Sequence, residues 1–144
     1  GEIRVKGNNS EGNLWRIGID KPIENSTAED REIQEVVNIK DKSLATSGSY
    51  RRFYEKDGVK YSHTIDPKTG YPVQHSLLSV TVVADNCATA DAMATAFMVM
   101  GADRSIAFLN EHPELGLEVY LIFNNPKGRM ETYYTKNFRD LIVE

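Results

Sequence analysis

At Asp85 the hydrophobic pattern of this chain changes period, from that of a strand to that of a helix. Leu78 to Ala84 contains the run Ser79-Val80-Thr81-Val82-Val83, whose β-branched residues mark a strand buried within a sheet. The residues that follow, with Asn86 or Thr89 as cap and then alanines mixed with Met and Phe, read as a helix closing on Gly101. A second helix is expected from about Asp103 to Glu111, stopping before Pro113. The rest of the chain supplies further strands.

Ile3 and Val5, and then Trp15, Ile17 and Ile19, alternate with polar residues as half-buried strands do. Gly7-Asn8-Asn9-Ser10-Glu11-Gly12-Asn13 lies between them, rich in turn formers, so these two strands are expected to form a hairpin. Pro22 ends the second strand, and Ser26 to Arg31 reads as a polar loop. Glu35 to Lys40 and Ser43 to Ser47 form two more strands around Lys40-Asp41-Lys42. Phe53 to Lys56 and Val59 to Ser62 flank Asp57-Gly58, the strongest hairpin signal present. Leu117 to Phe123 and Met130 to Tyr134 make a last hairpin, and Lys136 to Leu141 adds a helical turn. Strands joined as hairpins, with helices inserted late, predict an α+β fold: a mainly antiparallel sheet with two central helices, not a βαβ array.

Several function classes fall away on composition. A net charge of −4 over 144 residues opposes broad nucleic-acid binding, which needs a basic surface. One cysteine leaves no internal disulfide framework and no cysteine-rich zinc site. No run reaches the roughly 18 apolar residues of a membrane-spanning helix. The most apolar stretch, Ala88 to Gly101, contains Asp91 and reads as a buried helix. The chain starts at Gly1 with Glu2 to Lys6 already alternating as a strand, which leads us to expect a portion of a longer domain.

Three segments carry candidate chemistry. In Ala90-Asp91-Ala92-Met93-Ala94-Thr95-Ala96, positions four apart share a helical face, so Asp91 and Thr95 present a carboxylate and a hydroxyl side by side. Both are hard oxygen donors of the kind Mg²⁺ accepts together with water and phosphate oxygens. The plainer reading is an acid favoured by the dipole in the first turn and a threonine bonded back to a carbonyl. In Ser62-His63-Thr64-Ile65-Asp66-Pro67-Lys68-Thr69-Gly70, a strand delivers His63 into a turn stiffened by Pro and Gly. Histidine titrates near neutrality and is the usual general base, although a histidine satisfied by the turn backbone fits the same residues. Asp66 is its possible partner if the turn redirects the carboxylate. Thr46-Ser47-Gly48-Ser49-Tyr50-Arg51-Arg52-Phe53 suits a planar anionic ligand, or equally a bulged strand with a basic edge. His75, His112 and Cys87 show no metal-ligand spacing.

In order, these segments resemble the C-terminal half of the ApbE family, the FAD:protein FMN transferases. The resemblance runs from Gly1-Glu2-Ile3-Arg4-Val5-Lys6-Gly7 through Leu14-Trp15-Arg16-Ile17-Gly18-Ile19, the 46–51 segment, Ser62 to Gly70, and Ala90 to Ala96. Its specific part is the ordered pair of a His-x-Ile-Asp-Pro-x-Thr-Gly run and an Asp-Ala-x-Ala-Thr-Ala helix. The resemblance implies a T-fold-like domain whose N-terminal half lies outside residues 1–144. It implies a Mg²⁺-dependent reaction in which FAD is cleaved, FMN is attached through a phosphoester to a Thr or Ser of an acceptor protein, and AMP leaves. By the same resemblance, Asp91 and Thr95 are metal ligands and His63 deprotonates the acceptor hydroxyl. The backbone at Thr64 and Ile65 lies against FAD, with Ser47 to Tyr50 helping to form the cleft. The implied acceptor is a membrane-associated redox protein with a short flavinylation motif, and the implied place is the bacterial periplasm or cell envelope, lipid-anchored. An FAD pyrophosphatase using water as acceptor, or a flavin-binding module without catalysis, remains an alternative. A homodimer through an exposed sheet edge is a further expectation.

Overall fold

Segments with period-two patterning become strands, but the strands choose partners that spacing alone does not reveal. The computed structural model describes residues 1–50 and 53–144. Five strands form the main sheet: β1 (Glu2–Arg4), β4 (Ser43–Gly48), β7 (Leu77–Ala84), β8 (Glu118–Asn124) and β9 (Met130–Tyr134), in the order β1-β4-β7-β8-β9. Two separate ribbons complete the β-structure: β2 (Trp15–Asp20) with β3 (Ile33–Ile39), and β5 (Phe53–Lys56) with β6 (Val59–Ser62). Every one of these pairings is antiparallel. Two main helices follow β7, α1 (Cys87–Met100) and α2 (Ala102–Glu111), and a short α3 (Lys136–Arg139) closes the chain. The expected α+β class holds, with the expected hairpins at Asp57-Gly58 and between β8 and β9.

The first expected hairpin does not form. β1 pairs with β4, with Ile3 opposite Leu44, whereas β2 pairs with β3. The turn residues between them serve themselves instead. The Asn9 carboxamide oxygen accepts the N–H groups of Glu11 and Asn13, both at 3.0 Å, and the Gly7 N–H donates to Asp41 at 2.8 Å. The loop thereby carries the chain from one sheet to another. Asp41, at φ 53°, makes the reciprocal switch between β3 and β4.

β7 lies at the centre of the sheet and is buried on both faces, which accounts for its β-branched run. Leu77, Val80 and Val82 meet Val119 and Leu121 of β8 beneath Ala94, Phe97 and Met98 of α1. On the opposite face Val83, Tyr120 and Ile122 pack with Leu44, Val37, Ile39 and Phe138. The β2–β3 ribbon and α3 therefore cover one side of the sheet and the helices the other. A fully buried side chain such as Phe97 contributes about 1.5–3 kcal/mol.

Gly101 separates α1 from α2 at φ 81°, ψ 173°, a backbone region essentially restricted to glycine, and its N–H donates to the Phe97 carbonyl at 3.0 Å. A Cβ placed there would stand 3.2 Å from the His75 ring. That ring ties two elements together. Its Nδ1 accepts the Leu77 N–H at 3.2 Å, which leaves Nε2–H to donate to the Met98 carbonyl at 2.5 Å. Gly101→Ala is expected to cost about 1–3 kcal/mol in denaturant unfolding, from backbone strain and displacement of His75; an unchanged midpoint would refute the account.

At one end of the sheet, Lys42 bonds Asp85 at 3.0 Å and lies 4.0 Å from Glu118, whose side chain is only 16% exposed and whose Oε2 is buried without a partner. Burial pushes the Glu118 carboxyl above its ordinary range; Lys42 opposes this and Asp85 adds to it. The folded state therefore holds this proton to higher pH than the unfolded chain does. Stability from this group is present in acid and is lost as pH rises through the folded value. Glu118→Gln should gain stability relative to the native chain between about pH 4 and pH 7. Parallel stability curves over that range would exclude it.

Candidate active site

The helix α1 packs one face against β4 and β7 and leaves the other open. Ala90, Ala94, Phe97 and Met98 are buried, while Ala88, Ala92 and Ala96 are exposed, as are Asp91 and Thr95. The expected buried helix is therefore buried on one face only, because the small residues of its outer face are covered by no other described element. Asn86 is the cap: its side-chain oxygen accepts the Thr89 N–H at 2.8 Å. With the helix starting at Cys87, no acid lies in its first turn. Asp91 therefore sits beyond the positions where the dipole favours an acid, which removes the simplest structural reason for a carboxylate there.

Asp91 and Thr95 stand one turn apart on that open face, about 5–6 Å between their Cβ atoms. Among the described residues no group of three or more His, Cys, Asp or Glu side chains could enclose a metal. Two hard oxygen donors suit Mg²⁺, which keeps several waters and takes phosphate oxygens, better than an ion that needs a full protein cage.

His63 comes one residue after the end of β6 and is exposed. The loop after it is closed by its own backbone: the Val73 N–H donates to the Thr64 carbonyl at 3.0 Å and the Asp66 N–H to the Tyr71 carbonyl at 2.9 Å. The Asp66 carboxylate accepts the Lys68 N–H at 2.8 Å, so the turn employs this residue to shape itself. Ile65 pairs with Pro72 and remains 48% exposed, an apolar side chain presented to solvent at the edge of the loop.

A cleft of about 550 Å³ opens beside this loop. Its walls include Ser49, Tyr50 and Phe53, as the sequence suggested, but also Lys60 and Ser62 from the same face of the β5–β6 ribbon as Phe53, together with His75 and Met130. Lys60 lies over the Phe53 ring at 4.9 Å and pairs with Glu24. Ser47 instead faces Val80 in the β4–β7 ladder and is not among the lining residues. Arg51 and Arg52 lie outside the described residues. Sequence reasoning missed Lys60, and Ser62 as a wall of the cleft, although their alternation along β6 was a usable signal. His63, Asp91 and Thr95 do not line this cleft.

The comparisons with known proteins bear on the same elements. A family model described as the ApbE family matches residues 1–121, which contain β1 to β7, both helices and the loop at His63. The chain belongs to the ApbE family. The FAD:protein FMN transferase of Vibrio cholerae is 42% identical over 142 residues, covering 99% of this chain and 40% of the relative. The Escherichia coli protein of the same name is 38% identical over 143 residues, covering 99% and 38%. Among solved structures, the flavin transferase ApbE from Vibrio cholerae matches at TM-score 0.78 and 40% identity, over 98% of this chain and 42% of that one. The ApbE protein of Thermotoga maritima matches at TM-score 0.78 and 29% identity, over 100% and 43%. This ApbE chain thus spans about two fifths of the length of the relatives it matches.

Proposed function

We propose that this chain carries the general base and two metal ligands of an FAD:protein FMN transferase. The observation that carries the reading is the open face of α1, where Asp91 and Thr95 stand exposed and adjacent in a chain whose relatives bear that name. His63 takes the proton from a Ser or Thr hydroxyl of the acceptor protein as that oxygen attacks the phosphorus on the FMN side of the pyrophosphate. The new oxygen–phosphorus bond attaches FMN, the bond to the AMP phosphate breaks, and AMP leaves with the electron pair. The backbone at Thr64 and Ile65 lies along FAD, held in shape by the closed 64–73 loop. Asp91 and Thr95 would hold Mg²⁺, which when bound offsets the charge of the pyrophosphate oxygens. The acceptor is a membrane-associated redox protein with a flavinylation motif, and the reaction takes place in the bacterial cell envelope, with the full-length protein lipid-anchored. Pairing of two copies along the outer edge of β1 or β9 belongs to the same proposal, and a monomeric scattering profile would remove it.

The test mixes full-length protein, FAD, Mg²⁺ and acceptor. The acceptor should gain the mass of one FMN while AMP appears in equal amount. FMN and AMP released with the acceptor mass unchanged would establish an FAD pyrophosphatase instead. FAD bound tightly with no turnover would leave a flavin-binding module.

A further inference from the structure

His63 occupies a one-residue gap between two fixed stretches of backbone. Before it, β6 is paired with β5 up to Ser62, which lies opposite Phe53. After it, the Thr64 carbonyl is bonded to Val73 and the loop is closed. One side chain joins the two. Ser62 is 9% exposed, and its Oγ accepts the Thr64 N–H at 3.1 Å. A hydroxyl that accepts the N–H two residues ahead makes a compact turn, here with His63 at its centre. His63 is exposed, so burial does not hold it as it holds Phe97. The direction in which its Cα–Cβ bond leaves the chain is set by the turn.

We propose that Ser62 is a positioning residue for flavin transfer, aiming His63 by holding the Thr64 N–H. The proposal rests on the reading of His63 as the base. Ser62 itself exchanges no proton with substrate; it acts through the backbone on either side of the base. General-base catalysis depends on holding the base within hydrogen-bond reach of the proton it removes, and a displacement of about 1 Å can cost about 10²-fold in rate.

The experiment is a double-mutant cycle on transfer by the full-length protein with FAD, Mg²⁺ and acceptor. Ser62→Ala should lower kcat about 10- to 100-fold. Ser62→Thr keeps the hydroxyl on a residue that favours strand and should stay within about threefold of the native rate. Ser62→Cys, with a weak acceptor in nearly the same volume, should fall between them and guards against a poorly folding alanine variant. Rates ordered by side-chain volume rather than acceptor strength would overturn the assignment. The double variant Ser62→Ala with His63→Ala should be no slower than His63→Ala alone, because nothing remains to be aimed. A further loss in the double variant, or a fast Ser62→Ala beside a slow His63→Ala, would overturn the role of Ser62. Native rates in both single variants would overturn the role of His63 instead, so the two failures are distinct.

Discussion

Replacing Asp91 by alanine should abolish FMN transfer, lowering the rate by about 10³-fold or more. Asp91 is the only charged side chain on the open face of α1 beside Thr95, and a metal ion held against a pyrophosphate needs anionic protein oxygen. The fold should not suffer. Asp91 is exposed, makes no first-turn contribution to the helix, and alanine has the higher helix propensity, so unfolding should shift by no more than about 0.5 kcal/mol. Mg²⁺ titration by calorimetry on the same preparation gives the second reading, with binding lost alongside activity. Thr95→Ala removes a neutral ligand and should weaken Mg²⁺ more mildly. Full activity with unchanged Mg²⁺ dependence in Asp91→Ala would rule out the metal assignment.

His63→Ala should behave differently. The rate is expected to drop by about 10²- to 10⁴-fold, the range that general-base catalysis contributes, while FAD remains bound. Removing the ring leaves two backbone ties of Thr64 in place, because neither the bond from the Val73 N–H to the Thr64 carbonyl nor that from the Thr64 N–H to the Ser62 Oγ involves the imidazole. Fluorescence titration with FAD and single-turnover transfer therefore separate the two effects: near-native affinity with slow chemistry. Loss of FAD affinity with native turnover of the bound fraction would make His63 a binding residue and end its assignment as base.

These side chains were legible in the sequence for different reasons. Asp91 and Thr95 follow from helical spacing, which is local; once Ala88 to Met100 is helical, residues four apart must share a face. Whether that face was buried was not local, and the reading of a buried helix held for the other face only. The small outer residues Ala88, Ala92 and Ala96 are equally compatible with close packing and with an open surface. The choice of cap mattered too: Asn86 rather than Thr89 moved Asp91 out of the first turn and weakened the plain electrostatic explanation. His63 was legible as a strand-end histidine, but its turn was not. The hydrogen bond from the Thr64 N–H to Ser62 depends on the rotamer of a buried serine at the end of a largely exposed ribbon, and no spacing rule reports it.

What the sequence determined by itself was the identity and extent of nearly every element, because periodicity, the Asp57-Gly58 turn and the Gly101 stop are short-range physics. It also held the ordered motif pair by which the chain resembles its family. Only the tertiary structure decided which strands are neighbours. β1 leaves its sequence neighbour β2 for β4, because strand pairing joins segments far apart in sequence and is settled by the packing of the whole molecule. Val5, just beyond β1, shares one buried cluster with Leu44 of β4 and Ile19 of β2 alike, so no local pattern selects the partner. The same long-range packing buried one face of α1 and left Asp91 and Thr95 exposed on the other.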